Sequence, residues 1–335
     1  MGNDRNVRHT KKLRQHIDRQ LSTLVPRSGP ADLHHACRYV LNAGGKRVRS
    51  TLLLLACEAV GGKAASAIDA AAAVEILHNF TLVHDDVMDN AQSRRGRPTV
   101  HVRWDLNNAI LAGDILVGFA YESLLRTDTP AIRSALTAFT VGLLEVCRGQ
   151  AQDLELGRET NVTLGRYFRM IEKKTGSLIA LATELGGIIG GGTPRQVRAL
   201  RRFGILLGRA FQLQDDLLDI VADEQDLGKK VGGDIIEGKK TYLFITAYKR
   251  ANNRDRRLLL RAIRPAHSGS LNRRLQQRQV SLVTALYRKY GVLEAAGERV
   301  RKDTADAIAG LSALPPSPAR ERLQWFSEML VRRVS

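Results

Sequence analysis

Leu77-His78-Asn79-Phe80-Thr81-Leu82-Val83-His84-Asp85-Asp86-Val87-Met88-Asp89 is the stretch around which the rest of the chain can be ordered. Leu77, Phe80, Val83 and Val87 recur at three- and four-residue intervals, the period of an α-helix. That helix ends in carboxylates: Asp85 and Asp89 stand four residues apart and project from one face. Like charges stacked in this way repel and cost stability unless a cation lies among them. Hard oxygen donors of this kind suit Mg²⁺, which keeps waters and takes one or two carboxylates together with phosphate oxygens.

About 130 residues later the pattern returns as Asp215-Asp216-Leu217-Leu218-Asp219, inside the apolar run Phe211–Val221. A single D-D-x-x-D is ordinarily a solvated helix turn. Two copies, each embedded in an apolar helix, need a shared counterion and point to a metal–diphosphate site.

Outward from these two stretches the helical period continues almost without interruption. Helices are expected at about Arg49–Val60, Ala64–Asn90, Ala109–Leu125, Ile132–Leu156, Leu164–Ile189, Pro194–Val221, Lys239–Arg250 and Ser281–Leu311, with a docking helix at Ala319–Val334. Gly- and Pro-containing segments punctuate them, among them Arg94–Thr99, Gly190–Pro194 and Gly228–Gly233. No alternating segment ends in hairpin turn chemistry, so strands are not expected. The expectation is an all-α fold of ten or more helices, with residues 1–30 forming a basic amphipathic helix and loop and residues 31–335 a single domain.

Basic motifs flank both acidic ones. Gly44-Gly45-Lys46-Arg47-Val48-Arg49 precedes an apolar helix; its glycines permit close backbone approach and its cations can cradle a diphosphate without metal. Arg94-Arg95-Gly96-Arg97-Pro98-Thr99 follows the first aspartates and can fold cations back over a bound phosphate. Lys173-Lys174-Thr175, Gly228-Lys229-Lys230 and Gly238-Lys239-Lys240-Thr241 place lysines at apparent helix boundaries.

The chain has 335 residues, 44% of them hydrophobic, and a net charge of +18. The apolar fraction supports a buried core. A field this positive attracts polyanions of several kinds, including nucleic acid, anionic membrane and diphosphate esters. The basic runs Lys249–Arg264 and Arg273–Arg288 read as solvated helix faces. Cys37, Cys57 and Cys147 lie far apart with no C-x-x-C pair, which suggests reduced, mostly buried thiols. There is no secretory pattern at the N-terminus, and the oily stretches, such as Ser177–Ile189, are short or broken by charge, so no transmembrane span and a cytoplasmic location are expected.

Taken in order, GGKRVR, LHNFTLVHDDVMD, RRGRPTVH, AGDIL, CRGQAQDLE, KTGSL, GRAFQLQDDLLDI, GKKVGGD and EGKKTYL resemble the trans-prenyltransferases, or polyprenyl diphosphate synthases, over roughly residues 33–333. The resemblance implies an all-α bundle around a deep cavity, usually a homodimer. It implies that Lys46, Arg49, His78 and Arg95 hold isopentenyl diphosphate. Asp85, Asp86, Asp89, Asp215, Asp216 and Asp219 would be ligands for about three Mg²⁺ bridging the allylic diphosphate, which Arg94, Lys174, Thr175, Gln212, Lys229 and Lys239 would also grip. One departure is Ser50, where many relatives carry proline.

The implied activity is head-to-tail condensation of isopentenyl diphosphate with dimethylallyl, geranyl or farnesyl diphosphate, with release of pyrophosphate and no protein nucleophile. In this family the residues before the first aspartates line the product cavity. Phe80 followed by Thr81 looks most like a geranylgeranyl (C20) synthase, with farnesyl (C15) and farnesylgeranyl (C25) synthases as alternatives. A class I terpene cyclase would lack the Lys46/Arg49/His78 set and the second motif, and a non-catalytic subunit would be expected to lose aspartates. Nucleic-acid binding would account for the arginines but not for the acidic clusters. The excess charge suggests peripheral attachment to anionic membrane.

Overall fold

In the computed structural model, residues 2–26, 30–159, 161–221, 232–263 and 273–331 are described. The helices are α1 (Gly2–Leu24), α2 (Ala31–Leu41), α3 (Val48–Ala59), α4 (Ile68–Met88), α5 (Val100–Arg103), α6 (Leu106–Leu125), α7 (Ile132–Arg158) and α8 (Leu164–Ile171). They continue with α9 (Ser177–Ile189), α10 (Pro194–Val221), α11 (Gly233–Ile236), α12 (Tyr242–Arg250), α13 (Asn253–Ala262), α14 (Arg273–Lys289), α15 (Val292–Gly310) and α16 (Pro318–Val331). The all-α reading therefore holds.

Helix boundaries follow local chemistry. Asp105, Thr163 and Asn252 cap α6, α8 and α13 by accepting backbone N–H groups. At α10, the Thr193 hydroxyl accepts from the Gln196 N–H while Gln196 Oε1 accepts from the Thr193 N–H, a reciprocal capping box with Pro194 at the first helical position.

Three expectations change. Ser93–Arg94 (β1) and Arg97–Pro98 (β2) form a small antiparallel hairpin. Arg95 (φ 53°) and Gly96 (φ 72°) occupy its turn, the positive-φ pair that a two-residue hairpin demands. Two residues per strand are too few to show alternation in sequence. The segment expected as one helix over Ser281–Leu311 is interrupted: α14 ends before Gly291, whose φ of 59° stops it, and α15 starts at Val292. The third concerns α4 with its leading turn (Ala64–Met88) and α6, both long and apolar enough to cross a bilayer. However, 67% and 44% of their apolar windows are buried within protein, and the two helices pack on one another.

The chain divides into two compact units. The first comprises 1–144, 178–204 and 308–326; the second, 145–177, 205–307 and 327–335. In the first, α4 carries an almost wholly buried apolar run, Ala70–Leu77 with Glu75 inside it, packed against α1, α3 and α6. α3 and α9 approach so closely that a Cβ on Gly186 would lie 2.2 Å from the Leu53 carbonyl oxygen. In the second, Phe203's neighbour segment continues α10 through buried Leu207, Ala210 and Leu213, while α12, α14 and α15 bury Leu243, Tyr287 and Val300. Cys37 and Cys57 are buried and Cys147 is exposed; all three are free thiols. Burial pushes the Cys37 thiol up to about 12 and the Cys57 thiol up to about 11, leaving both unreactive.

Candidate active-site residues in two clusters

The first cluster starts at the glycine loop before α3. Arg95 donates to the Gly44 carbonyl, and a Cβ on Gly45 would lie 3.0 Å from the Arg95 guanidinium. The glycines thus make room for an arginine delivered by the hairpin. Arg49 lies 3.1 Å from His78 Nε2. Burial, followed by the fields of Arg49, Arg95 and Arg94, holds the His78 pKa well below its ordinary value, so the ring is neutral and Nε2 accepts from Arg49. The His78 Nδ1 atom is buried with no partner among the described residues. Lys46 is exposed at the mouth of this loop.

Arg47, the middle cation of the triplet, does something different. It adopts a left-handed backbone (φ 47°) and turns inward, where it pairs with Asp18 at 2.8 Å and Glu75 at 3.1 Å and donates to the Leu41 carbonyl. Ser50, the departure from the family pattern, donates to the other oxygen of Glu75 at 3.0 Å. Arg47 is therefore structural, and the expected cradle of three cations contains two.

On α4, Asp86 is buried and accepts from Arg94 Nε at 2.8 Å, while Asp85 is half-buried and Asp89 is exposed at the helix end. Burial pushes the Asp86 pKa up, and Arg94 counters it. One turn upstream, the half-buried Phe80 ring meets His84 edge to face at 4.9 Å; Thr81 donates back to the His78 carbonyl. His84 lies against α6 at Gly113, where any Cβ would clash with it.

The second cluster is built on α10. Asp216, 4% exposed, accepts from the Tyr167 hydroxyl and from Gln212 Nε2 at 3.0 Å. Burial and the nearby Asp234 push its pKa up to about 7. Asp219 accepts two backbone N–H groups, Gly233 and Asp234, each at 3.1 Å; burial and Asp234 push it up to about 6. Asp215 is exposed.

Between α8 and α9 the helix widens into a π turn, Glu172–Gly176. This turn carries two of the expected residues: Lys174 pairs with Asp153 at 2.6 Å, and Thr175 donates to Gln212 Oε1 at 2.8 Å. A Cβ on Gly149 would lie 2.2 Å from the Lys174 nitrogen, and one on Gly208 would lie 2.5 Å from the Gly176 Cα. Glycine on the two flanking helices therefore lets their backbones close on the turn. Arg209 anchors it from below, holding Glu172 at 3.0 Å and the fully buried Asp303 at 2.5 Å. Lys239 pairs with Glu237 at 2.6 Å and approaches Asp234 at 3.6 Å. Lys240 instead donates to the Leu156 and Gly157 carbonyls near the end of α7. Lys229 lies outside the described residues.

Asp234, Tyr167, Asp153 and Arg209 belong to this cluster yet were not singled out from the sequence. GKKVGGD and CRGQAQDLE were visible as motifs, but the partners of their aspartates come from distant segments. Among the described residues no three His, Cys, Asp or Glu side chains form a metal cage by themselves. Asp216, Asp219 and Asp234 nevertheless crowd negative charge into a desolvated place, which fits a hard cation completed by non-protein oxygens.

The comparisons with known proteins agree with this chemistry. Residues 30–277 match the family model described as polyprenyl synthetase. The chain is 38% identical to the short chain isoprenyl diphosphate synthase of Methanothermobacter thermautotrophicus, covering 96% of this chain and 97% of that one. It is 41% identical to the geranylgeranyl diphosphate synthase of Methanosarcina mazei over 74% of this chain and 78% of that protein. The crystal structure of geranylgeranyl pyrophosphate synthetase from Pyrococcus horikoshii superposes with a TM-score of 0.90 at 37% identity, covering 99% of both chains. With motifs, helices and relatives in accord, the chain belongs to the polyprenyl synthetase family.

Proposed function

We propose that this prenyl synthase is magnesium-dependent and short-chain, extending allylic diphosphates with isopentenyl diphosphate to a C20, geranylgeranyl, product. The observation that carries the reading is the contrast in charge between its residue sets. One set gathers cations around a neutral histidine; the other concentrates carboxylates that call for a divalent cation.

Lys46, Arg49 and Arg95 would bind the diphosphate of isopentenyl diphosphate directly. Neutral His78, accepting from Arg49, orients that guanidinium without adding a charge that repels it. The six aspartates of the two motifs would hold magnesium, which when bound neutralises the negative charge growing on the pyrophosphate leaving group. Arg94 and Lys174, each now resting on an aspartate, are positioned to exchange that partner for phosphate oxygens. Thr175 and Gln212 orient one another toward Asp216. Holding the acceptor double bond near the ionising carbon supplies much of the acceleration.

Phe80 supports the C20 assignment. It lies five residues, about 7.5 Å along α4, before Asp85, with the smaller Thr81 beside it. The same reading places the enzyme in the cytoplasm as a homodimer, with exposed Leu106, Ile110 and Leu111 of α6 and Val141 and Leu144 of α7 available for the contact, and with basic surfaces free to meet anionic membrane.

The test is incubation of purified protein with radiolabelled isopentenyl diphosphate and dimethylallyl, geranyl or farnesyl diphosphate, with Mg²⁺ or EDTA, followed by sizing of the dephosphorylated products. Metal-dependent C20 alcohol from wild type, shifting to longer chains in Phe80→Ala, is the expected outcome. C15 or C25 product from wild type would replace the chain-length assignment, and activity in EDTA would remove the metal.

A further inference from the structure

The small hairpin presents arginines to two different surroundings. Arg94 reaches the buried Asp86. Arg97, its direct cross-strand partner, lays its guanidinium over the Tyr39 ring with Cζ 3.9 Å from the centroid. Arg103, on α5, lies 4.5 Å from the same ring and 4.8 Å from that of Trp104. Tyr39 and Trp104 meet edge to face at 5.3 Å, and the Tyr39 hydroxyl is fixed by donating to the Pro98 carbonyl at 2.8 Å. With His35, Arg38 and Asn42 of α2, these side chains line an open cavity of about 510 Å³.

Among the described residues neither Arg97 nor Arg103 has a carboxylate partner. Two guanidinium groups on one ring repel each other. Stacking offsets part of that repulsion while leaving their in-plane N–H donors unused. Planar forks arranged in this way match the oxygens of a phosphate bidentately. A monocarboxylate would satisfy one fork; two forks with a third arginine and an imidazole on the same wall suit an anion of higher charge. None of these seven residues belongs to either aspartate motif or to the glycine loop.

We infer that the Tyr39–Arg97–Arg103–Trp104 cluster is a second anion-binding site, taking a phosphate or diphosphate group either free in solution or on a lipid headgroup. A ligand there grips the strand paired with the one that carries Arg94.

The chain has two tryptophans, so Trp325→Phe leaves Trp104 as the reporter. Full-length W325F protein in EDTA is titrated with inorganic pyrophosphate. In parallel it is titrated with vesicles of phosphatidylcholine containing phosphatidylglycerol, and with phosphatidylcholine alone. The expected result is a saturable change in Trp104 emission with pyrophosphate or with the anionic vesicles. Arg97→Gln/Arg103→Gln should weaken it at least tenfold, and Lys46→Gln/Arg49→Gln should leave it unaltered. A response to pyrophosphate assigns the free anion, and a response to anionic vesicles alone assigns the headgroup. If the double variant loses helicity by circular dichroism, the single Arg103→Gln, whose side chain is exposed, is read instead. No saturable change with either probe, or titrations unaltered by the arginine substitutions, would overturn the proposal.

Discussion

The two aspartate motifs share the D-D-x-x-D pattern but differ in what surrounds their buried carboxylates. At the first, the buried carboxylate of Asp86 already has its counterion in Arg94, and Arg47 behind it is matched by Asp18 and Glu75. At the second, Asp216 and Asp219 accept from O–H and N–H donors and, among the described residues, pair with no cation, while Asp234 adds to the crowding. A motif therefore does not carry its own protonation behaviour. The neighbours decide it: burial raises all three buried carboxylates, but a salt bridge counters the rise at Asp86, whereas neighbouring carboxylates add to it at Asp216 and Asp219.

Substitution at Asp216 should show this difference most strongly. Asp216→Asn should lower condensation by about 10³-fold in a steady-state assay, yet raise the metal-free melting temperature at pH 8 because a desolvated charge has gone. Asp86→Asn should lower activity too, but it strands Arg94 and lowers the melting temperature. Melting shifts of the same sign would show that Arg94 does not set the two motifs apart.

The structural cations supply the next effect. Arg47→Gln leaves Glu75 buried without its partner and should cost about 3–5 kcal/mol in urea denaturation. Its neighbour Lys46→Gln should cost under about 0.5 kcal/mol while raising the KM for isopentenyl diphosphate. If Arg47→Gln unfolds like wild type, the buried network is not holding the loop.

A pH titration sharpens the contrast. Folded Asp216 and Asp219 have pKa values of about 7 and about 6, above the unfolded value of 3.8. The stability they contribute is present at acid pH and lost as pH rises through those two values. The limiting slope is about 1.4 kcal/mol per pH unit for each proton. His78 works in the other direction, because its depressed folded pKa removes stability as pH falls below about 6.5. The difference between wild type and Asp216→Asn, melted in EDTA from pH 5 to 8.5, isolates the carboxylate contribution. Mg²⁺ should flatten it; a pH-independent difference would show that Asp216 is already ionised.

The smallest expected effect on activity is at Gly45. Gly45→Ala puts a methyl against the Arg95 guanidinium and should raise the KM for isopentenyl diphosphate about tenfold, or about 1.4 kcal/mol, with kcat nearly unchanged. Equal losses in kcat would move Arg95 from binding to the reaction itself.

Much of this was legible in the chain because it is local. Pro194–Val221 was bounded correctly because Thr193, Pro194 and Gln196 announce a helix start within four residues. Both aspartate motifs were visible as spacing on helices, while Arg49 and His78 were implied by the family resemblance. What escaped depends on segments far apart in sequence. Arg47 looked like its neighbours until Asp18 and Glu75 closed on it. Asp234 gains meaning only beside Asp219, and the π turn under Lys174 is dictated by glycines at positions 149 and 208. Gly291 was overlooked because the apolar pattern runs on across it.

Arg47 and Arg95 share one further property: both hold positive φ, a conformation that side chains other than glycine and asparagine seldom adopt. For the backbone alone, glycine would be the better residue at either position. In a large collection of variants selected only for folding, Arg95 should therefore drift toward glycine or asparagine, since its loss relaxes the hairpin turn. Arg47 should resist, because its guanidinium neutralises a buried glutamate. Selection for catalysis should hold both. The two arginines thus separate, by substitution pattern, what the fold requires from what the reaction requires.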